Sequence, residues 1–592
     1  MQAADEPGDI AEVDGYSGKF TACSWQRRAV ERIVDLRTTV SLLEQALGKK
    51  FVNALRAWRY KVEGRDTAGT KTELVEALLV QHGADLLRNC KELREFIGKT
   101  TGAGAPGAFH SGKTAAIQFV AKADLPKELA GSPAPPRPPA AIVVRGPQHL
   151  RPLEDYQKQA KAWIAEALLN RSAVICSLPT GGGKTRVAIE AIVDLLILES
   201  NEQTRPRVMW VAHTRELCDQ AAEAFRVVWE VSAPGKNLLM GMTAEIDDEK
   251  LEAPFVEAMQ DPWDAAVIVT TPIVGARLLN RESWLSKLLD ETAPRGVRAL
   301  VIDEAHRAAA RTYRELIASA RRGSPEGGMP VIGLTATPFR TVPVGQPADA
   351  AIKALHEVFA NGLILPPLLG IDPKKELIER GCLARPTYKP IRGTDLSEVS
   401  GDQADEWVDN KLSRLAGKSL IRRRRVFDEL HSLLQTTPRA RVLYFGPTVE
   451  DAEVMSFLLL QQGYASAVLS AKTHAPVRRE MVRQFKLGSY QVLCNHGVLT
   501  TGFDDPQITH VVVARPTLSL VLYEQMVGRG LRGPLSGGTA ECHILSVEDT
   551  FEGGVANQVW TEFIKSWMPY VAVLPMSGMA ARRRRAGERD RN

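Results

Sequence analysis

The amino-acid sequence predicts two tandem, doubly wound α/β domains with parallel sheets, preceded by a small all-helical N-terminal module. Buried parallel strands are short, continuous apolar runs. Two series of such runs occur, one between Ala173 and Leu334 and one between Val442 and Leu545. Helical patterns separate the runs, as crossover connections require. Residues 24–100 instead carry apolar residues at three- and four-residue spacing, which indicates helices.

Changes in composition along the chain predict the domain boundaries. The length of 592 residues suits roughly three or four domains. The predicted division is an acidic, disordered segment at 1–23, the helical module at 24–100, a linker rich in Gly, Ala and Pro at 101–147, the first α/β domain at 148–345, a connection at 346–375, the second α/β domain at 376–575 and a basic tail at 576–592.

Composition excludes several classes of protein. With 44% hydrophobic and 24% charged residues, the chain is expected to be soluble and globular, and its net charge of +5 permits a nucleic-acid partner. The seven cysteines form no C-x-x-C pair, which argues against a zinc site and favours a reducing cytosol. The N-terminus lacks the apolar core of a signal peptide. The apolar segment Val187–Leu198 is too short to span a bilayer, so no membrane partner is expected.

Two stretches compete for the role of a phosphate-binding loop. Gly107–Thr114 matches the pattern G-x-x-x-x-G-K-[ST] at every fixed position, whereas Leu178–Thr185 has leucine in place of the first glycine. A phosphate loop also needs a strand before it and a helix whose N–H groups face the anion. Only the second stretch follows a predicted strand and enters a predicted helix at once. We therefore expect ATP to bind at the second stretch.

The residue types in this loop and in a later motif suit phosphoryl transfer. Lys184 would reach the β- and γ-phosphates, and the Thr185 hydroxyl would bind Mg²⁺. Further along, V-I-D-E-A-H (Val301–His306) ends an apolar run. Asp303 would hold Mg²⁺, and Glu304 would orient and deprotonate the attacking water. The predicted residues of the loop are Pro179, Thr180, Gly181, Gly182, Gly183, Lys184 and Thr185.

With these motifs, residues 148–548 resemble the superfamily 2 helicases and translocases of the DEAH-bearing kind. The resemblance implies two RecA-like domains, with ATP and Mg²⁺ as cofactors. V-L-T-T-G-F-D-D-P and Y-E-Q-M-V-G-R-G-L-R-G, beside G-L-T-A-T-P-F-R, are most similar to the RadD-like DNA repair helicase group. The further segments in family order are Leu150–Ala160, His213–Gln220, Val269–Pro272, Gly333–Arg340, Val442–Ala452, Val498–Pro506 and Tyr523–Gly533.

The resemblance also implies roles for residues of the nucleotide site. Gln157 would contact adenine, and Asp504 and Gly502 would face the ribose. Arg529 and Arg532 would bring positive charge from the second domain to the γ-phosphate. Because these arginines are three residues apart, we expect them on one helix face.

Other implied roles concern catalysis, coupling and the nucleic-acid strand. Gln525, on the same predicted helix as the arginines, would reach the γ-phosphate or the attacking water. Coupling between ATP and the strand would involve His306, Thr335 and Thr337. Hydroxyl and amide contacts to a phosphate backbone give position without sequence. The predicted strand contacts are Thr214, Arg215, Thr271, Thr448, Thr500 and Thr501.

Part of the N-terminal module resembles a SAP module, a small two-helix DNA-binding fold. The hairpin spans about residues 50–83, and its mark is the G-x-K-x-E-L turn at Gly69–Leu74. Thr67 or Thr70 would cap its second helix. The other interpretation is a helical hairpin with a solvated charged face. The basic residues of this cluster are Arg56, Arg59, Lys61, Arg65 and Lys71, of which Arg59 and Lys71 are the predicted DNA contacts.

Two four-arginine runs occur outside these motifs. Arg422–Arg425 is a candidate strand contact in the second α/β domain, and Arg582–Arg585 would add loose phosphate affinity. Runs of like charge are usually solvated.

The function predicted from these features is an ATP-dependent DNA helicase or duplex-DNA translocase in DNA repair or antiviral defence. The predicted partner is duplex or branched DNA, with single-stranded DNA as a further candidate. No nuclease signature occurs, so any cutting would come from a partner protein. Three alternatives stay open: an RNA helicase, the motor subunit of a restriction or defence complex, and a scaffold switched by nucleotide. The SAP-like hairpin favours DNA.

Overall fold

The structure is a computed structural model of the chain, and the residues it describes form two compact units. The first unit comprises Met1–Pro133, Phe427–Ala440 and Val449–Cys494, and the second comprises the remainder. Some residues with predicted roles lie outside the described residues. They are Thr337, Thr501, Gly502, the segment 1–23 and the segment 576–592, which contains Arg582–Arg585. The described residues are 24–131, 141–144, 150–201, 204–243, 262–279, 297–321, 329–336, 355, 357–370, 373–396, 406–500, 503–551 and 554–555.

Within residues 24–131, the first unit contains seven α-helices. Their bounds are α1 Ser24–Asp35, α2 Val40–Leu47, α3 Lys49–Trp58, α4 Lys71–His82, α5 Leu86–Asn89, α6 Lys91–Thr101 and α7 Thr114–Lys122. Of the two predicted caps for α4, the structure selects Thr70. Its hydroxyl accepts a hydrogen bond from the Glu73 amide at 3.3 Å, and Glu73 Oε2 accepts one from the Thr70 amide at 2.7 Å. This capping box starts the helix at Lys71.

The helical module packs against later parts of the chain within the same unit. The other elements there are most of α15 (Leu420–Thr436), then α16 Val449–Gln461, β11 Ser466–Leu469, α17 Ala475–Lys486 and β12 Val492–Asn495. The ring of Phe51 lies 6.2 Å from that of Phe457, and the ring of Trp58 lies 5.2 Å from that of Phe427. The Gln461 amide donates to Glu76 at 2.8 Å. The hairpin is therefore docked through aromatic and polar contacts.

The predicted linker at 101–147 contains regular structure. Helix α7 lies inside it and buries Ala116, Phe119 and Val120, and strand β1 spans Ala141–Val144. Apolar residues at helical spacing account for α7 despite the surrounding Gly, Ala and Pro. The described residues of the stretch predicted as a linker thus include one helix and one strand.

The second unit contains an eight-stranded sheet in the order β1-β4-β5-β3-β6-β7-β2-β8. All neighbouring strands are parallel except β1 and β4. The helices between them are α8 Asp155–Leu169, α9 Lys184–Glu199, α10 Arg215–Ser232, α11 Pro272–Leu279 and α12 Arg311–Arg321. The strands are β2 Ala173–Ser177, β3 Arg207–Val211, β4 Leu238–Thr243, β5 Ala265–Thr270, β6 Val297–Asp303, β7 Val331–Thr335 and β8 Leu363–Ile364.

The register of this sheet brings the ends of three strands together. Ser177 is paired with Thr335, and Asp303 is paired with Leu334. Because the strands are parallel, the residues that follow β2, β6 and β7 emerge at the same edge. That edge carries the predicted phosphate loop and the predicted Mg²⁺ ligand.

A second group of parallel strands lies in the same unit. Strand β13 is parallel to both β10 and β14, β14 is parallel to β9, and β15 closes a short antiparallel pair with β14. The sequence did not predict β9. These strands are β9 Arg385–Asp395, β10 Val442–Phe445, β13 His510–Val513, β14 Glu541–Phe551 and β15 Gly554–Val555, and the helices are α13 Pro373–Glu379, α14 Glu406–Lys418 and α18 Leu520–Val527.

The predicted fold class is confirmed, since parallel α/β sheets follow a helical N-terminal region. Continuous apolar strands explain it, because β2, β3, β5 and β7 are buried along their whole length. Among the described residues, no helix is both long and apolar enough to cross a membrane.

Candidate nucleotide-binding site

The loop between β2 and α9 has the geometry of a phosphate cradle. Gly181 and Gly183 have φ angles of 89° and 83°, a region that glycine enters without steric cost. Helix α9 begins at Lys184, directly after Gly183, so the N–H groups of its first turn lack partners within the helix. Such a helix start binds anions. Thr185 follows as the second residue of that helix.

Two side chains of α8 form hydrogen bonds with the backbone of this loop. The Tyr156 hydroxyl and the Gln157 amide both donate to the Gly182 carbonyl, each at 3.1 Å. The Gln157 carbonyl also accepts from the Glu154 amide at 3.0 Å, within a capping box. The predicted adenine-contacting residue therefore also shapes the phosphate loop. The sequence did not single out Tyr156, whose buried aromatic ring gave no separate signal.

The acidic pair lies where β6 ends. Asp303 is buried, and burial together with the neighbouring Glu304 charge raises the pKa of Asp303 to about 7. Lys184 opposes that shift. Burial in turn lowers the pKa of Lys184, while Glu304 and Asp303 act in the opposite direction. Lys184, Asp303 and Glu304 are therefore close enough to act on each other's pKa, although they come from two separate sequence motifs.

Glu304 and His306 have unusual local geometry. Glu304 has φ 52° and ψ 50°, a left-handed conformation that is rare for a residue with a side chain and often occurs at functional sites. His306 Nδ1 lies 3.3 Å from both Glu304 Oε2 and Thr335 Oγ1. Burial lowers the pKa of His306 to about 4, so the ring is neutral near pH 7. Two predicted coupling residues are thus joined to the predicted catalytic glutamate.

The two arginines lie beyond the helix on which they were predicted. Helix α18 ends at Val527, and Arg529 and Arg532 follow in a turn, so the expectation of one shared helix face is wrong. Glycine is unfavourable in a helix interior, and the glycine-rich segment after Val527 ends the helix. Gln525 does lie on α18 and is buried.

The arginine turn lies against the phosphate loop. A Cβ placed on Gly181 would come within 2.7 Å of Arg532 Nη1, and one on Gly528 would contact Thr180. Arg529 donates to the Phe503 carbonyl at 2.8 Å, and burial, followed by the charge of Arg532, lowers the pKa of Arg529 to about 10. Positive charge is therefore held against the face of the loop that would carry phosphate.

Several donors in this site lack acceptors. Arg532 Nη1 and Gln525 Nε2 are buried and form no hydrogen bond with the residues that the structure describes. Arg532 Nε donates to Asp504 at 2.7 Å, so the predicted ribose contact is paired with arginine here. Buried donors without acceptors are costly. The residues present therefore fit a phosphate-bearing ligand, with Thr185 and Asp303 as the candidate Mg²⁺ ligands.

The predicted strand contacts follow the ends of sheet strands. Thr214 follows β3 and Thr271 follows β5. These two strands are parallel neighbours, and Val211 of β3 is paired with Thr270 of β5. Thr214 caps α10 by accepting from the Leu217 amide at 3.3 Å, and Arg215 is the first residue of that helix.

Two further predicted contacts belong to loops that are hydrogen-bonded to one another. Thr448 follows β10, where the Gly446 amide donates to the Asn495 carbonyl at 2.8 Å. Thr500 lies in the loop after Asn495 but is buried, and its hydroxyl donates to the Gly497 carbonyl at 2.7 Å. Thr448 is thus better placed than Thr500 to contact a strand.

Two predictions for basic residues are corrected. Arg59 is only 4% exposed and pairs with Glu73 at 3.0 Å, so it supports the hairpin and does not present charge to DNA. In the arginine run, Arg422 is buried and pairs with Asp549 at 2.8 Å, and Arg423 is also buried. A buried guanidinium needs such a partner. Sequence alone shows the charge of these residues and not their burial.

One functional candidate was missed by sequence reasoning. Arg307 Nη1 donates to His213 Nε2 at 3.0 Å. His213 precedes the predicted strand contact Thr214, and Arg307 ends the short 3-10 helix Ala305–Arg307 that follows Glu304 and contains His306. The two residues are distant in sequence, so no local pattern could have paired them.

Comparisons with known families assign the class of protein. Residues 151–340 match the family described as "Type III restriction enzyme, res subunit", and residues 425–533 match the family described as "Helicase conserved C-terminal domain". These two matches, in this order, support a similarity to superfamily 2 helicases.

Two curated proteins and one solved structure are similar to parts of this chain. The Saccharomyces cerevisiae protein named "Putative ATP-dependent helicase IRC3" is 29% identical over 68% of this chain and 52% of its own length. The type I restriction enzyme EcoKI endonuclease subunit of Escherichia coli is 24% identical over 64% of this chain and 33% of its own length. The solved structure of the type ISP restriction-modification enzyme LlaBIII bound to DNA aligns with a TM-score of 0.45 at 16% identity, over 68% of this chain and 28% of that one. The chain thus spans about half the length of IRC3 and a third of the EcoKI subunit.

Proposed function

We propose that the chain is an ATP-dependent DNA helicase or duplex-DNA translocase of the RadD-like kind. The observation that supports this best is the arrangement of Lys184, the Asp303–Glu304 pair and the Arg529–Arg532 turn around one glycine-rich loop. Phosphoryl transfer needs mainly positioning and charge compensation, and these groups supply both.

Each group has a proposed role in hydrolysis. Lys184 and the α9 N–H groups hold the β- and γ-phosphates, and Glu304 takes a proton from the attacking water. Arg532 places its unpaired Nη1 on the γ-phosphate, and Arg529 supports the turn through its bond to the Phe503 carbonyl. Thr185 and Asp303 hold Mg²⁺, which would neutralise charge on the phosphate oxygens.

Movement along DNA would arise because the nucleotide site is built from two parts that are distant in sequence. The loop and the acidic pair belong to residues 151–340, and the arginine turn belongs to residues 425–533. ATP would favour the arrangement in which both parts contact the phosphates, and hydrolysis would remove that preference. Gln157, Gln525, Asp504 and Gly502 are proposed to complete the nucleotide contacts.

The identity of the nucleic acid is tested by stimulation of ATP turnover. We expect duplex DNA to stimulate phosphate release more than single-stranded DNA or RNA of the same sequence, with strand displacement measured in parallel. Stronger stimulation by RNA would replace this proposal with an RNA helicase. Turnover that no nucleic acid changes would favour a nucleotide-switched scaffold.

The His213–Arg307 hydrogen bond is proposed to couple strand binding to hydrolysis. We expect His213→Ala to leave turnover without DNA within about twofold, and to reduce the stimulation by DNA at least about fivefold, a typical coupling magnitude. The measurement is phosphate release with and without duplex DNA, beside DNA affinity by fluorescence anisotropy.

A double-mutant cycle supplies the control for this coupling. Arg307→Ala should reduce stimulation to the same degree, and the double variant should lose no more than either single variant. Additive losses, or full stimulation in both single variants, would show that the bond has no coupling role.

The hairpin is proposed to bind DNA through its exposed basic residues. Lys61, Arg65 and Lys71 are exposed, and Tyr60 beside them is 59% exposed. Each phosphate contact adds affinity that falls with salt. We expect the triple variant Lys61→Glu, Arg65→Glu and Lys71→Glu to weaken duplex-DNA affinity at least about tenfold, and to flatten its salt dependence.

The matched control reverses three exposed lysines elsewhere in the same unit, namely Lys91, Lys99 and Lys122. An equal loss of affinity in that control would mean that net charge alone explains the effect. Deleting the whole module is a poor test, because its helices cover Phe457 and Phe427.

The chain is also proposed to act with partner proteins in DNA repair or antiviral defence, as a motor whose nuclease is a separate chain. The name of the EcoKI endonuclease subunit supports a motor in a restriction complex as the second candidate. A reducing, cytoplasmic location is proposed because the six described cysteines are buried and form no disulfide.

A further inference from the structure

A cavity of about 550 Å³ lies within the first unit, and none of its lining residues belongs to the candidate nucleotide-binding site. Helices α3 and α4 of the N-terminal module form one wall, and α16, β11 and α17 form the other. Its apolar lining includes Leu47, Phe51, Val80, Val468 and Met481. We call it the module cavity. Sites for small ligands typically measure about 300–1,000 Å³, so the module cavity is large enough for a ligand of nucleotide size.

The lining carries charges of both signs, but Glu450 pairs with Lys50 at 3.3 Å and Glu453 accepts from the Gln81 amide at 3.0 Å, which leaves Lys49 and Lys472 for an anion. Residues at the starts of three helices line the cavity: Lys49 of α3, Val449 of α16 and His474 before α17. No side chain caps α3 or α17, so the first N–H groups of these helices lack a side-chain partner. Lys49 and Lys472 are exposed lining residues and add positive charge to the helix starts.

The lining also includes an unpaired hydrogen-bond donor, on the His82 ring. The Asn89 amide donates to His82 Nδ1 at 3.4 Å, and burial lowers the pKa of His82 to about 4. The ring is therefore neutral near pH 7 and carries its proton on Nε2. That Nε2 is buried and has no hydrogen-bond partner among the residues that the structure describes.

An unpaired acceptor lines the same cavity. Asp85 is 2% exposed, and its Oδ1 accepts from the Ser111 hydroxyl at 2.9 Å. Its Oδ2 accepts no hydrogen bond from the described residues, since His474 Nδ1 is 3.6 Å away and Arg88 Nη1 is 3.9 Å away. Leaving a buried carboxylate oxygen in this state is costly. A ligand that offers a donor to Asp85 and an acceptor to His82 would satisfy both groups.

We propose that the module cavity binds a nucleoside phosphate, with the phosphate near Lys49 and Lys472 and the edge of the base at His82 and Asp85. A nucleobase edge presents adjacent donors and acceptors, and the apolar side chains listed above can flank its flat faces. A simple anion would use the lysines and leave Asp85 unsatisfied. The nucleotide is either free in solution or the terminal residue of a strand.

The proposal is tested by titrating AMP into the full chain that carries Lys184→Ala, which weakens the ATP site. We expect one molecule of AMP to bind per chain by calorimetry. Adding Lys472→Ala or His82→Leu should weaken binding at least about tenfold, whereas the matched control Lys91→Ala should not change it. Ribose 5-phosphate, which lacks the base, should also bind at least about tenfold more weakly.

Three results would overturn the proposal: no AMP binding at millimolar concentration, unchanged affinity in the Lys472→Ala variant, or equal affinity for ribose 5-phosphate. Lys472 is exposed, so its truncation decides the question even where His82→Leu fails to fold. A 5′-phosphorylated adenine tetranucleotide that displaces AMP would identify the ligand as a strand end, and one that does not would identify it as a free nucleotide. Wild-type ATP turnover is measured separately, so failure here leaves the proposed motor function intact.

Discussion

Lys184→Ala is expected to reduce ATP turnover at least about 10²-fold, the typical cost of losing one charge-stabilising group in an active site. Lys184 is the first residue of α9 and lies in the same site as Asp303 and Glu304, which act on its pKa. Its ammonium would lose contact with the phosphates in the variant, and no described side chain on the loop replaces it. Phosphate release at saturating ATP and DNA measures the effect.

Lys113→Ala is the matched control, because Lys113 belongs to the stretch that satisfies the phosphate-loop pattern in full. Lys113 is exposed at the start of α7, and within residues 102–113 no strand precedes it. Without a strand before the turn, Lys113 is not brought to a sheet edge that carries carboxylates like Asp303 and Glu304. Turnover should stay within about twofold of the unmodified chain, well short of the 10²-fold cost expected in an active site. Loss of turnover in Lys113→Ala, with turnover retained in Lys184→Ala, would place the nucleotide at the other loop.

Arg532→Ala is expected to lower turnover by about 10³-fold or more, as removal of an arginine finger does. Its Nη1 lies near Gly181 and forms no hydrogen bond within the described part of the chain, whereas Arg529 donates to the Phe503 carbonyl. The charge that Arg532 supplies matters most when negative charge spreads over the γ-phosphate. ATP affinity should therefore change little, and the loss should appear in kcat.

The control for Arg532 is Arg311→Ala, because the side chain of Arg311 is 89% exposed and pairs only with Glu315 on its own helix among the described contacts. Kinetics at several ATP concentrations separate kcat from KM for both variants. If Arg532→Ala raises KM and leaves kcat unchanged, this residue binds nucleotide without stabilising the transition state.

The sequence predicted the strand-loop-helix unit at Leu178–Thr185 because every part of that unit is local. An apolar strand, consecutive glycines and a helix start are adjacent in the chain, and so is the acidic pair that ends β6. Leucine in place of the first glycine did not matter, since Gly181 and Gly183 carry the positive φ angles. Local chemistry of this kind can be inferred from one sequence.

The features that the sequence could not predict depend on burial and on distant partners. The pairing of Arg59 with Glu73 and of Arg422 with Asp549 turns apparent surface charge into internal structure. Helix α18 ends at Val527, so Arg529 and Arg532 lie beyond the helix. The docking of the module, and with it the module cavity, depends on apolar faces that meet only in the folded chain.

We propose that this chain hydrolyses ATP at the β2–α9 loop, with Glu304 activating the water. The most direct test is phosphate release by the unmodified chain and by Glu304→Gln, each with duplex DNA and with nucleotide binding measured alongside. The unmodified chain should release phosphate and Glu304→Gln should bind ATP normally while losing at least about 10²-fold in turnover, within the range for a general base. No ATP hydrolysis by the unmodified chain, or equal hydrolysis by both proteins, would contradict the claim.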